Sequence, residues 1–291
     1  MAEIATGPQT PVRRQFRQFF RHEFSTIRYV RWGRRNAPRR AVLVHGFMQN
    51  GREHDPFAAA LAAAGWCVYC PDLPGHGWSD RRRRHEDYDY LLYAHTVGTM
   101  LAIAGGDGVD LFGNSMGAVI VMLMASARRP PLRTLILNDG SVRWPDAAVC
   151  WFAEAAPASD RFPDRDEAVR QVTALLRQRG PLDEAGWRQV LAYSLSRRDG
   201  EWRGRFDPRL KWSMDSLERD QPDHWWHWQR IAVPTLLVRG ERSTMLTEET
   251  AAEMIARQPR AQLLTMPEAG HSPWLRRPEQ IEPVVDWLRR H

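Results

Sequence analysis

At 291 residues, 43% of them hydrophobic, the chain is long enough for one large domain with an insertion and a sizeable core. The formal charge of +6 and pI near 9.7 carry no nucleic-acid signature, because Lys211 is the single lysine and the arginines are spread as a compositional bias would leave them. Three cysteines give neither a disulfide framework nor a four-ligand zinc site; Cys67 and Cys70 lie in strand-like sequence and are expected to be reduced and buried.

Residues 1–24 read as a basic, aromatic extension in which Phe16, Phe19, Phe20 and Phe24 recur at partly helical spacing among arginines, expected to pack on the domain rather than on a membrane. Apolar runs then predict strands at Thr26–Trp32, Arg40–His45, Trp66–Pro71, Val109–Gly113, Thr134–Asn138, Thr235–Arg239 and Gln262–Met266. Helical patterns fall at Asp55–Ala64, His85–Ala104, Met116–Ala127, Thr247–Arg257 and Glu279–Arg290. The alternation implies a mostly parallel central sheet flanked by helices, in α/β class, built from residues 25–140 and 231–291. Residues 141–230 read as a helical cap insertion rather than strands, and hold eight of the thirteen tryptophans. Most of these are read as packing, with Trp144 and Trp151, close to the hinge, as substrate-pocket candidates. The run Arg81–Arg84 reads as a solvated loop, with contact to an acidic substrate or partner as the alternative. No run of about 18 apolar residues is present and the start of the chain lacks a signal-like pattern, so cytoplasmic residence without stable membrane insertion is expected.

Three stretches carry chemistry. GNSMG, Gly113–Gly117, stands between a strand and a helix and fits the G-x-S-x-G nucleophile elbow, which presents Ser115 and uses glycines where strand and helix pass closely. The strand AVLVH ends in Gly46 and Phe47, where a loop can offer a backbone N–H; with that of Met116 it makes a candidate oxyanion hole. His271, in EAGHSPW after the last strand, is the candidate general base, since it follows the serine far down the chain in a glycine-containing loop.

With these motifs, and with CPDLPGHGWSD at Cys70–Asp80, the chain from about Phe24 onward resembles the α/β-hydrolase superfamily, in its serine-nucleophile esterase and lipase-like subgroup with a helical cap. The resemblance implies the order serine, acid, histidine. It also implies an aspartate where this chain has Thr244, after Ser243 in PTLLVRGERSTML, and neither side chain can carry the charge. Glu241 comes three positions early, while Glu248 and Glu249 open the next helix. Asp139, at the end of LILND, keeps the required order and is the candidate acid; its other reading is a turn aspartate bonding local backbone in NDGS. A third possibility is that no acid acts.

The expected activity is hydrolysis of a carboxylic ester or lactone of a small to medium apolar substrate through an acyl-enzyme, with no metal or organic cofactor and no nucleic-acid partner. Carbon–carbon bond hydrolysis on the same fold is the enzymatic alternative, and a non-catalytic ligand-binding homologue is the alternative outside enzymes. Oligomeric state is left open.

Overall fold

The computed structural model describes residues 10–212 and 223–291. Runs such as Ala41–Val44 and Leu111–Phe112 have almost no accessible surface, so their strands are covered on both faces, as a parallel sheet between helices requires. Eight strands form this sheet: β1 (Val12–Phe20), β2 (Glu23–Trp32), β3 (Arg39–Val44), β4 (Trp66–Pro71), β5 (Val109–Asn114), β6 (Leu132–Asn138), β10 (Thr235–Gly240) and β11 (Ala261–Met266). Their order is β1-β2-β4-β3-β5-β6-β10-β11, with β1 and β2 antiparallel to their neighbours and the remaining pairs parallel.

Successive side chains of β3 serve two cores: Val42 and Val44 pack on one face, Ala41 and Leu43 on the other. The first face carries helices α2 (Tyr90–Ala104) and α3 (Met116–Ala125); the second carries α1 (Asp55–Ala63) and the C-terminal helix Pro278–Arg290, which bury Leu61, Val284 and Trp287. Cys67 and Cys70 are buried free thiols in β4.

Three readings of the sequence need correction. Phe16, Phe19 and Phe20 lie on strand β1, paired with β2 from Val12↔Arg31 to Phe20↔Glu23, and Phe24 on β2, none of them on a helix. Phe16 and Phe20 pack inward with the buried Gln18 between them, whereas Phe19 and Phe24 are exposed. The polar Gln18, bonded to Thr96 Oγ1 at 2.9 Å, breaks the apolar alternation that would have announced a strand.

The insertion after β6 is not purely helical either. Besides α4 (Asp146–Ala155), α5 (Arg165–Leu176), α6 (Glu184–Ser194) and α7 (Trp225–Arg230), it contains β7 (Arg161–Phe162), β8 (Leu195–Arg198) and β9 (Glu201–Gly204), an antiparallel sheet ordered β7-β9-β8. Strands of two to four residues rich in arginine carry too few apolar positions to show a period.

Arg82 also departs from the solvated-loop reading. It is fully buried, donating to Ser25 Oγ at 2.6 Å and Phe20 O at 3.0 Å and pairing with Glu23 at 3.1 Å, while Arg83 is exposed. Among the described residues no helix is long and apolar enough to cross a membrane, and no cluster of His, Cys, Asp or Glu has the makings of a metal site.

Candidate active site

The parallel strands end together, and the candidate residues follow those ends. β5 and β6 run in register to Asn114↔Asn138, so Ser115 and Asp139 emerge side by side, with Ser115 N–H donating to Asn138 O at 3.0 Å. The elbow is as tight as its glycines suggest. A Cβ on Gly113 would stand 2.4 Å from Gly117 O, and one on Gly117 would stand 2.5 Å from His45 O. Between them Ser115 takes φ 53° and ψ −117°, a strained conformation that costs on the order of 1–3 kcal/mol and points its hydroxyl away from the helix it starts.

Ser115 Oγ lies 2.7 Å from His271 Nε2, and His271 Nδ1 lies 2.5 Å from Asp139 Oδ2. All three residues are at most 5% exposed. Asp139 itself sits at φ 58° and accepts three further hydrogen bonds: from Ser243 Oγ at 2.6 Å, from Ser272 N–H at 3.1 Å and from Gly240 N–H at 3.2 Å. These donors hold the carboxyl group in place and fix the oxygen that meets the imidazole. The backbone N–H groups that Asp139 bonds are those of Gly240 and Ser272, remote in the chain and not the local ones of NDGS that its turn reading expects, and its carboxylate meets His271 as well.

The loop after β3 folds over the start of α3. Gln49 Oε1 accepts from Gly46 N–H at 2.9 Å and from Asn114 Nδ2 at 2.8 Å, and Asn138 Nδ2 donates to Asn114 Oδ1 at 2.6 Å and to Pro273 O at 2.9 Å. One amide network therefore ties the Phe47 loop, the elbow and the His271 loop together. Among the described residues neither Phe47 N–H nor Met116 N–H has a protein acceptor. Gln49, Asn114, Asn138 and Ser243 were not singled out from the sequence, because each acts through partners remote in the chain.

A cavity of about 10 Å³, room for about one water, adjoins Ser115 and His271. Phe47, Gln49, Phe152, Leu175, Leu176, Gln178 and Arg179 complete its lining. Trp144 and Trp151 do not line it. Trp151 is 39% exposed on α4, and the neighbouring Phe152, about 100° further around the helix, is the residue that meets His271 edge to face at 5.6 Å. Trp144 is buried away from the cavity, and among the described residues its Nε1 has no hydrogen-bond partner.

One residue of this lining, Arg179, is charged and is backed by Glu53. Arg179 donates to Glu53 Oε2 at 2.7 Å and to Ser272 O at 2.8 Å, and lies 3.7 Å over the Trp274 ring. Burial pushes Glu53 up to about 7 despite that partner, and pushes Arg179 down to about 10. His54, beside Glu53, is pushed down to about 3 by burial and by the Arg179 charge.

A profile of the alpha/beta hydrolase family matches residues 41–284, most of the chain. The protein belongs to the alpha/beta hydrolase family. Among its relatives in that family, a 3-hydroxybutyrate-oligomer hydrolase of Cupriavidus necator is 31% identical over 262 residues, covering 87% of this chain and 89% of that protein. A pimeloyl-[acyl-carrier protein] methyl ester esterase of Xanthomonas campestris is 27% identical, covering 82% and 90%. An alpha/beta hydrolase from Novosphingobium aromaticivorans superposes with a TM-score of 0.80 at 24% identity, covering 97% of this chain and 99% of the other. Ester hydrolases thus stand among the relatives of this alpha/beta hydrolase, and the fold matches along nearly its whole length.

In this alpha/beta hydrolase the turn after β10 does not bring Thr244 to the histidine. Thr244 is exposed, and the buried residue of that turn is Ser243, whose hydroxyl meets Asp139.

Proposed function

We propose that the protein is a serine hydrolase of carboxylic esters, with Ser115 as nucleophile, His271 as general base and Asp139 as the acid that orients it. The observation that carries this reading is the unbroken chain from Ser115 Oγ through both nitrogens of His271 to Asp139 Oδ2, at 2.7 and 2.5 Å. His271 Nε2 takes the hydroxyl proton as Ser115 Oγ attacks the ester carbonyl. The N–H groups of Phe47 and Met116 hold the developing oxyanion, the latter aided by its place at the start of α3. His271 then gives the proton to the departing alcohol, leaving an acyl group on Ser115. Water, deprotonated by His271, attacks the acyl carbonyl, and the acid departs as His271 returns that proton to Ser115 Oγ. Asp139 holds Nδ1 protonated throughout and stabilises the imidazolium.

The acyl group enters against Phe152, Leu175 and Leu176, side chains of the 141–230 cap that lie against the cavity and have to move aside for it. A short hydroxyacyl ester is the substrate that follows from the oligomer hydrolase named above. Cytoplasmic residence is part of the same reading, supported by the reduced, buried thiols of Cys67 and Cys70.

Fluorophosphonate labelling followed by intact-protein mass tests the assignment without the true substrate. Rapid single labelling that disappears in Ser115→Ala is expected; folded protein that resists labelling and hydrolyses no ester would sink the reading.

A further inference from the structure

Arg179 is out of place in an apolar acyl site. It is the only Arg, Lys, Asp or Glu among the residues lining the cavity beside Ser115 and His271, and only 4% of its surface is exposed. Its Nε is used by Ser272 O and its Nη1 by Glu53, but among the described residues Nη2 has no protein acceptor. Nη2 is not sealed from solvent, so this otherwise enclosed guanidinium keeps a donor open to an incoming acceptor.

Arg179 is also tied to the catalytic loop and not merely to the insertion that carries it. Gly270 N–H donates to Arg179 O at 3.1 Å and His271 N–H to Gln178 O at 2.9 Å. With the Ser272 and Glu53 bonds and the Trp274 ring beneath it, the guanidinium stays beside His271 when Phe152 or Leu176 give way. A latch between insertion and core does not require a cation in the cavity wall, since buried ion pairs stabilise little over apolar contacts.

We infer that Arg179 is a specificity residue that receives a carboxylate carried by the ester substrate itself, so that the preferred substrates are esters bearing a free acid near the scissile bond. This rests on the serine-hydrolase reading above. Glu53 shares the guanidinium and, being raised towards neutrality by burial, leaves its charge only partly countered. Two sources supply that chemistry: an ester between two hydroxy acids, with the carboxylate on the leaving alcohol, and a half-ester of a dicarboxylic acid, with the carboxylate on the acyl group.

The test compares kcat/KM at pH 7 for 3-hydroxybutyrate dimer against its methyl ester, and for monomethyl glutarate against dimethyl glutarate. In the wild-type enzyme at least one free acid should exceed its neutral partner by about tenfold or more, as a charge-assisted hydrogen bond gives, and the pair that does so identifies the source. In Arg179→Met that ratio should fall to about one. Glu53→Gln, which frees the guanidinium, should raise it, and this variant decides the matter if Arg179→Met does not fold. Equal rates for acid and neutral partner in both wild-type pairs would overturn the inference, as would a ratio that persists in Arg179→Met or one that Glu53→Gln leaves unchanged or lowers. In each of those cases continued labelling of Ser115 and hydrolysis of neutral esters leave the serine-hydrolase reading standing, whereas loss of both in wild-type protein removes that reading instead.

Discussion

Ser243 Oγ and His271 Nδ1 both bond the same oxygen of Asp139, Oδ2, at 2.6 and 2.5 Å. The turn after β10 has thereby become a support for an acid that comes from the end of β6. Its hydroxyl also accepts from Met245 and Leu246 N–H, each at 3.2 Å, so one serine braces both the turn and the carboxylate.

Replacing Asp139 with asparagine should therefore be severe. An amide can present its NH₂ to Nδ1 and favour the wrong tautomer, and kcat for a p-nitrophenyl ester should fall by about 10³–10⁴. Thr244→Asp should restore none of this, because residue 244 faces solvent. Recovery of activity in the Asp139→Asn, Thr244→Asp double variant would mean that the turn can deliver an acid after all.

Ser243→Ala removes one of the four donors to Asp139 while leaving the Ser272 and Gly240 N–H groups in place. The lost bond is worth roughly 1–1.5 kcal/mol, so kcat should drop about tenfold with KM little changed. Ser243→Thr, which keeps a hydroxyl, should recover most of it. Steady-state kinetics on the pair separate support of the acid from general damage, which would lower both variants alike.

The residues that sequence made legible are those whose role is written locally. Gly113, Ser115 and Gly117 announce an elbow because three neighbours must satisfy one tight turn, and His271 follows from its loop. Asp139 was only half legible, since an aspartate in NDGS reads equally as a turn residue, and the partners that decide its role, Gly240, Ser243, His271 and Ser272, are remote in the chain. Gln49, Asn138 and Ser243 were silent, because an amide or hydroxyl means nothing until the chain returns to meet it. Strand β1 was hidden by the buried Gln18, and the choice between Trp151 and Phe152 turns on helix phase, which composition does not carry.

Gly270 is required by the close passage of the Gln178–Arg179 strap. A Cβ there would lie 1.8 Å from Gln178 O, a backbone atom that cannot rotate away. Gly270→Ala must push the strap off the catalytic loop, at about 1–3 kcal/mol, and should lower Tm by roughly 5 °C together with activity. A variant with wild-type Tm and kcat would show that the strap has slack.

His54 makes acid stability a property of the region behind the site. It is fully enclosed, packs edge-on against Phe112 at 5.3 Å, and is pushed down to about 3 by burial first and the Arg179 charge second. Above pH 6.5 the imidazole is neutral in the folded and unfolded chains, and it adds no pH dependence. As pH falls below 6.5 the unfolded chain takes up a proton that the folded chain refuses until about pH 3. Stability is lost across that window at about 1.4 kcal/mol per pH unit from this residue alone. Glu53 acts in the opposite sense between its ordinary range and about 7, because there the folded chain holds the extra proton. The contribution of His54 is therefore isolated by difference. In urea unfolding, the advantage of wild type over His54→Leu should be constant from pH 7 to 8 and shrink steadily from pH 6.5 to 4.5. A difference that stays flat over that range would mean that His54 is protonated in the folded protein and that the Arg179 charge does not bear on it.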